Sequence, residues 1–194
     1  MNENIRLFTA ISLPERVRDA VRNGVSDRMA ALPFKRRTHP DDWHITLHFI
    51  GDCAPADVPR LEAAIRESAA ASAPFTLSLS GIGTFGNAAA PAVLWLGVGG
   101  EQMRLERLHR ALGEQLERTG LFRPDSRPYR PHLTLARKYA GTGPLAADDA
   151  VWPEPSDAGA LSWEVRDIVL YRSHLGRSPM YEPLAVVPLG GVRP

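Results

Sequence analysis

Cysteine is all but missing from this chain. Cys53 stands alone, which excludes an intrachain disulfide and suits a reducing compartment. Lysine is nearly as scarce: Lys35 and Lys138 are the only two among 23 basic residues. So broad an arginine bias lowers the weight of any single arginine as a site marker. An excess of charge of either sign is lacking too. The 194 residues carry a formal net charge of +1, so no global field demands a polyanionic partner, although a local basic patch is compatible with that balance. No run approaches the roughly 18 apolar residues that span a bilayer. Met1 to Arg6 carries Glu3 and no basic stretch ahead of an apolar run, so no secretory leader is expected. The expectation is a cytoplasmic protein, monomeric by default, with no membrane role.

What remains is ordinary globular composition, 44% hydrophobic and 23% charged, in a length suited to one domain or two small lobes. Apolar and β-branched residues over 5–12 predict a strand. Pro14 then opens a helix carried by Val17, Ala20, Val21 and Val25 and stopped before Pro33. Lys35-Arg36-Arg37 reads as a basic run in a loop, either solvated or in contact with a phosphate backbone. Further helices are expected over 58–72 and over 101–119, the latter with Leu105, Leu108, Leu112 and Leu116 as its stripe. Strands are expected over 43–50, 75–80, 92–98, 161–173 and 181–189. The Gly-, Pro- and Ala-rich stretch 139–160 predicts a surface excursion. Strands joined by short loops and mixed with helices favour an α+β fold built on antiparallel sheet.

One tetrapeptide occurs twice, as His44-Ile45-Thr46-Leu47 and as His132-Leu133-Thr134-Leu135. Strand side chains alternate between faces, so each copy presents an imidazole and a hydroxyl on one side and apolar residues on the other. Strict alternation puts Trp43, Ile45, Leu47 and Phe49 on one face and His44, Thr46 and His48 on the opposite one. A lone strand histidine is ordinarily structural, which is the reading for His48 and His109. Two copies in comparable places, each after a helix and a loop, favour function. Facing each other, they would surround one small anion with two titratable imidazoles and two hydroxyl donors. Gly81-x-Gly83-x-x-Gly86 formally matches a dinucleotide fingerprint, but no helix opens after it. These glycines read instead as a tight strand connection near the cleft.

In these motifs and their surroundings the chain resembles the bacterial and archaeal RNA 2′,3′-cyclic phosphodiesterases, or 2′-5′ RNA ligases, among the two-histidine phosphoesterases. The resemblance rests on Arg6-Leu7-Phe8-Thr9-Ala10-Ile11, Trp43 through Gly51, Gly81 through Gly86, Arg130 through Arg137, and Leu170-Tyr171-Arg172-Ser173-His174-Leu175 with Tyr181-Glu182-Pro183-Leu184. It covers nearly the whole chain outside 139–160. It implies a single domain over 1–194 of two pseudo-symmetric lobes, from related halves of about 1–98 and 99–194, with helices outside and both His-x-Thr motifs lining a central cleft. It also implies cofactor-free, metal-independent opening of a 2′,3′-cyclic phosphate at an RNA end to a 2′-phosphate, with reverse 2′-5′ ligation as a side activity. By the same resemblance His44 is the proton donor, His132 the proton acceptor, and Thr46, Thr134 and Arg137 bind the phosphate. Arg137 has the wrong strand parity for that face, so a bulge or strand end is required; Arg130 has the right parity and is the alternative. The partner would be RNA with a cyclic phosphate terminus, such as tRNA fragments, or small cyclic nucleotides. Phe8, Tyr129 and Phe85 are candidate base-stacking residues. Two other classes remain open: a metal-dependent phosphoesterase using His44, His48, His132 and His174, and a non-catalytic RNA-binding module.

Overall fold

A computed structural model describes residues 4–87, 89–145 and 159–190. In chain order the elements are β1 (Ile5–Ser12), α1 (Glu15–Ala31), β2 (Phe34–Arg37), β3 (His44–Cys53), α2 (Val58–Ala70), β4 (Phe75–Asn87), β5 (Ala90–Gly100), α3 (Gln102–Arg118), β6 (His132–Tyr139), β7 (Ser162–Val165), β8 (Asp167–Ser173) and β9 (Tyr181–Pro188). All the described strands join one antiparallel sheet in the order β7-β4-β5-β6-β3-β1-β8-β9, with β2 added beside β6. The α+β antiparallel architecture is therefore as the sequence predicts.

The two motif strands lie side by side at the middle of that order. They share a single registered pair, Ile45 with Leu133. On one side of this seam stand β5, β4 and β7, and on the other β1, β8 and β9. Each half of the sheet thus interleaves strands from both ends of the chain and does not follow a divide near residue 98. Arg166 alone separates β7 from β8, yet these strands lie toward opposite ends of the order. The sheet must curl for one residue to bridge them.

Several local expectations are corrected. The basic run 35–37 is a strand, not a loop, because β6 offers it an open edge. The glycines 81–86 make no tight connection; β4 runs through them to Asn87, paired with β5 along its length. The stretch 161–173 is two strands rather than one. Of the excursion expected over 139–160, residues 146–158 lie outside the described residues.

The core forms on the sheet face away from the motif side chains. Ile45, Leu47, Leu133 and Leu135 are all buried there. The stripe Leu105, Leu108, Leu112 and Leu116 of α3 is buried as its spacing predicts, each side chain contributing about 1.5–3 kcal/mol. Helices α2 and α3 pack on each other, and α2 also covers β8 and β9.

Candidate active site

The Ile45–Leu133 pair sets the geometry. Antiparallel register continued by one residue either way puts His44 opposite Thr134 and Thr46 opposite His132. All four then share the face opposite the buried Ile45 and Leu133.

Strict alternation stops immediately afterwards, and it does so in both strands. In β3, Ala10 pairs with Thr46 but Thr9 pairs with His48, so Leu47 is bulged. In β6, Trp95 pairs with Thr134 but Leu94 pairs with Ala136, so Leu135 is bulged. Each bulge buries two consecutive residues, Leu47-His48 and Leu135-Ala136. The next side chain therefore returns to the motif face. That position is Phe49 in β3, 59% exposed, and Arg137 in β6. The bulge that Arg137 requires is present. For the same reason, and contrary to simple parity, His48 does not share a face with His44 and Thr46, nor Phe49 with Ile45 and Leu47.

Side chains hold the β3 bulge. Its freed backbone groups need partners. The Thr46 carbonyl accepts from the Tyr129 hydroxyl at 3.0 Å, and the His48 amide donates to the Thr9 hydroxyl at 3.1 Å. The His109 ring hydrogen-bonds the Leu47 carbonyl, while His48 Nε2 donates to the His109 carbonyl at 2.7 Å. The rings of His48, His109 and Tyr129 stack in sequence at 4.1 and 3.8 Å. Gly113 of α3 makes room for this, since a Cβ there would lie 3.0 Å from the His48 ring. In β6 the Leu135 carbonyl accepts from the Thr38 amide at 2.9 Å.

Both motif imidazoles are oriented alike. His44 Nδ1 lies 2.7 Å from the Asp42 carbonyl, and His132 Nδ1 lies 2.7 Å from the Arg130 carbonyl, in each case two residues upstream. A carbonyl only accepts, so Nδ1 carries the hydrogen and Nε2 is the atom free to exchange a proton. His44 Nε2 is 3.0 Å from the Thr46 hydroxyl. Arg130, the alternative to Arg137, supplies this backbone carbonyl. Arg137 Nη2 donates to the Thr134 hydroxyl at 3.4 Å.

Aromatic side chains flank both motif imidazoles. His44 packs on Phe8 at 4.9 Å and meets the edge of Tyr181 at 5.1 Å, with Tyr171 behind at 6.1 Å. His132 stands edge-on to Phe85 at 4.9 Å, near Trp95 at 6.2 Å. Trp95 lies flat over Gly83, where a Cβ would come within 2.3 Å of the indole. Of the candidate stackers, Phe8 is buried against His44, Phe85 abuts His132, and Tyr129 is engaged beneath the bulge.

Sequence reasoning missed Asp42 as an organiser. Its buried carboxylate accepts the Met180 amide at 2.9 Å and the Tyr181 amide at 3.0 Å, fixing Tyr181 over His44. The adjacent Asp41-Asp42 gave no signal to separate the buried residue from the exposed one. Among the described residues no three His, Cys, Asp or Glu side chains form a cluster able to hold a metal. His48 lies in the stack against α3 and His174 pairs with Glu182 at 2.6 Å, so the four histidines considered as ligands do not converge.

Burial pushes His44 down to about 4, with the charges of Arg137 and His132 adding to the fall. Burial likewise lowers His132, and takes His109 to about 4 with help from His48. These imidazoles are neutral in the folded protein near neutrality. Between pH of about 6.5 and about 4 the unfolded chain binds protons that the folded one refuses, so stability falls as pH falls through that window. The melting temperature is expected to drop between about pH 7.5 and about pH 4.5, and less so in His109→Phe. An equal drop in the variant would contradict the assignment.

Residues 15–177 match the family model described as the 2′-5′ RNA ligase superfamily. A Geobacillus stearothermophilus protein named RNA 2′,3′-cyclic phosphodiesterase is 39% identical over 184 residues, 95% of this chain and 57% of that relative's length. The Bacillus subtilis protein of the same name is 30% identical over 177 residues, covering 91% of this chain and 92% of the relative. Among solved structures, TT0787 of Thermus thermophilus superposes with a TM-score of 0.78 at 29% identity, over 97% of this chain and 100% of that one. Escherichia coli LigT complexed with 3′-AMP gives 0.79 at 26% identity, with the same coverage.

Proposed function

The chain belongs to the 2′-5′ RNA ligase superfamily, and from that premise we propose that it opens 2′,3′-cyclic phosphate ends of RNA to 2′-phosphomonoesters without a metal. The observation that carries this reading is the pair of Nε2 atoms left free for proton transfer, on adjoining strands, between two threonine hydroxyls and one guanidinium.

Water attacks phosphorus in line with the 3′ oxygen. His132 Nε2 takes the proton of the attacking water as the new P–O bond forms. The P–O3′ bond breaks, and His44 Nε2 gives its proton to the departing oxygen. Each transfer contributes roughly 10²–10⁴-fold. The Thr46 hydroxyl donates to unprotonated His44 Nε2. Once that nitrogen carries a proton, the hydroxyl turns to a non-bridging phosphate oxygen. Thr134 does the same from the facing strand, and Arg137 pairs with the charge that grows there. A 5′-hydroxyl in place of water yields a 2′-5′ linkage by the same steps. RNA bearing a cyclic phosphate end is thus the partner of this site.

The charge of the substrate matters for the acid. Free His44 resists protonation, so its role as donor needs the phosphate anion beside it to restore its affinity for the proton. The pH profile then separates two states. The profile of kcat/KM reports the free enzyme, where both imidazoles are lowered, and its optimum is expected below about 6.5. The profile of kcat reports the complex, and its optimum is expected at higher pH. Coincident optima would remove the substrate from this account.

Product analysis on an oligoribonucleotide with a 2′,3′-cyclic phosphate end, with excess chelator present, tests the whole reading. A 2′-phosphate product is expected. Activity lost to chelator and restored by one particular metal would favour the metal-dependent class; binding without turnover would favour the binding module.

A further inference from the structure

The basic run 35–37 is split by its strand geometry into residues with different tasks. Arg37 turns to the helix side, where its guanidinium donates to the Met29, Ala30 and Leu32 carbonyls at 2.9–3.1 Å and caps the end of α1. Its strand partner Ala136 is fully buried on that side. Arg36 therefore projects to the opposite face, and its partner across the β2–β6 ladder is Arg137. Residues directly opposite in an antiparallel pair share a face with Cβ atoms about 4.5–5.5 Å apart, and like charges so placed repel.

Nothing described neutralises this pair. Some surface arginines meet carboxylates, as Arg6 does Asp52, Arg60 does Asp57 and Arg104 does Glu101; this juxtaposed pair does not. Among the described residues neither Arg36 nor Arg137 forms an ion pair, and Arg137 bonds only the Thr134 hydroxyl. Two juxtaposed guanidinium groups are stable neighbours once an anion lies between them, and phosphate suits their forked donors. Arg137 leans toward the motif at Thr134, while Arg36 stands one strand further out, beyond the reacting phosphate.

We propose that Arg36 forms, with Arg137, a second phosphate subsite that holds the phosphodiester preceding the terminal nucleotide, so that the site favours oligoribonucleotides over mononucleotides. This rests on the cyclic phosphodiesterase reading above. A mononucleoside 2′,3′-cyclic phosphate has no such phosphodiester and places nothing between the two arginines.

The test compares adenosine 2′,3′-cyclic phosphate with the diadenosine ApA ending in a 2′,3′-cyclic phosphate, in the wild type, Arg36→Gln and Arg36→Lys. The ratio of kcat/KM for the dinucleotide to that for the mononucleotide is expected to fall about tenfold in Arg36→Gln, the low end for a charged hydrogen bond at an exposed position. Arg36→Lys recovers part of it. The dependence of log kcat/KM on log salt for the dinucleotide is expected to flatten by about 0.7 in Arg36→Gln. An unchanged ratio, whether both substrates lose equally or neither loses, overturns the subsite while leaving the parent reading intact. Failure of the wild type to turn over either substrate overturns both.

Discussion

His44→Ala and His132→Ala are each expected to lower turnover of a 2′,3′-cyclic phosphate by roughly 10²–10⁴-fold, with the melting temperature near neutral pH little changed. Folding is expected to survive because both rings are only partly buried and lie on the sheet face opposite the buried Ile45 and Leu133. The two variants are distinguishable although the motifs look interchangeable. A substrate with sulfur in place of the bridging 3′ oxygen releases a thiolate, which leaves without a proton. It is expected to restore most of the rate to His44→Ala and none to His132→Ala. The reverse pattern would exchange the two roles, and wild-type turnover by the double variant would end the proposal.

Arg137→Gln is expected to lower kcat by about 10²-fold, the cost of losing one donor aimed at developing charge. Its guanidinium reaches the Thr134 hydroxyl, and its charge is felt at both imidazoles. Removing that charge eases the protonation of His44 and His132 in the free protein. The kcat/KM optimum is therefore expected to move to higher pH even as the rate falls. Lysine at this position restores charge without the fork and recovers only part of the rate. A variant as fast as wild type, with an unmoved profile, would remove Arg137 from the site.

Much of this arrangement was legible in the sequence, for reasons that differ by element. Helices announced themselves where a leucine stripe kept its spacing, as in α3. The motif strands were legible because histidine and threonine two apart must share a face. Pairing across the seam was not, because register between distant strands depends on contacts that no local pattern records. Parity arguments held through Leu47 and Leu135 and failed at the next residue, two past each threonine. At His48 the failure went unforeseen, since an imidazole suits either face. At Arg137 it was anticipated, because the resemblance demanded a side of the strand that alternation denied. Asp42 stayed hidden because its partners, the Met180 and Tyr181 amides, are 138 and 139 residues away. Arg36 could not be separated from its basic neighbours until the ladder with β6 gave each a direction.

The paired bulges carry a consequence for how a nucleic acid strand is read from one end to the other. Two matching imidazoles, each braced by a carbonyl two residues upstream, have no inherent head or tail. Beyond the unlike rings that flank them, the equivalence breaks again three residues past each threonine, with a bare phenyl ring at 49 and a cation at 137. A ligand with a flat, greasy end and an ionic end can satisfy both only one way round. On the reading proposed above, these two side chains, outside the repeated tetrapeptide, give a bound RNA strand one direction, and exchanging them is the variant expected to reverse it.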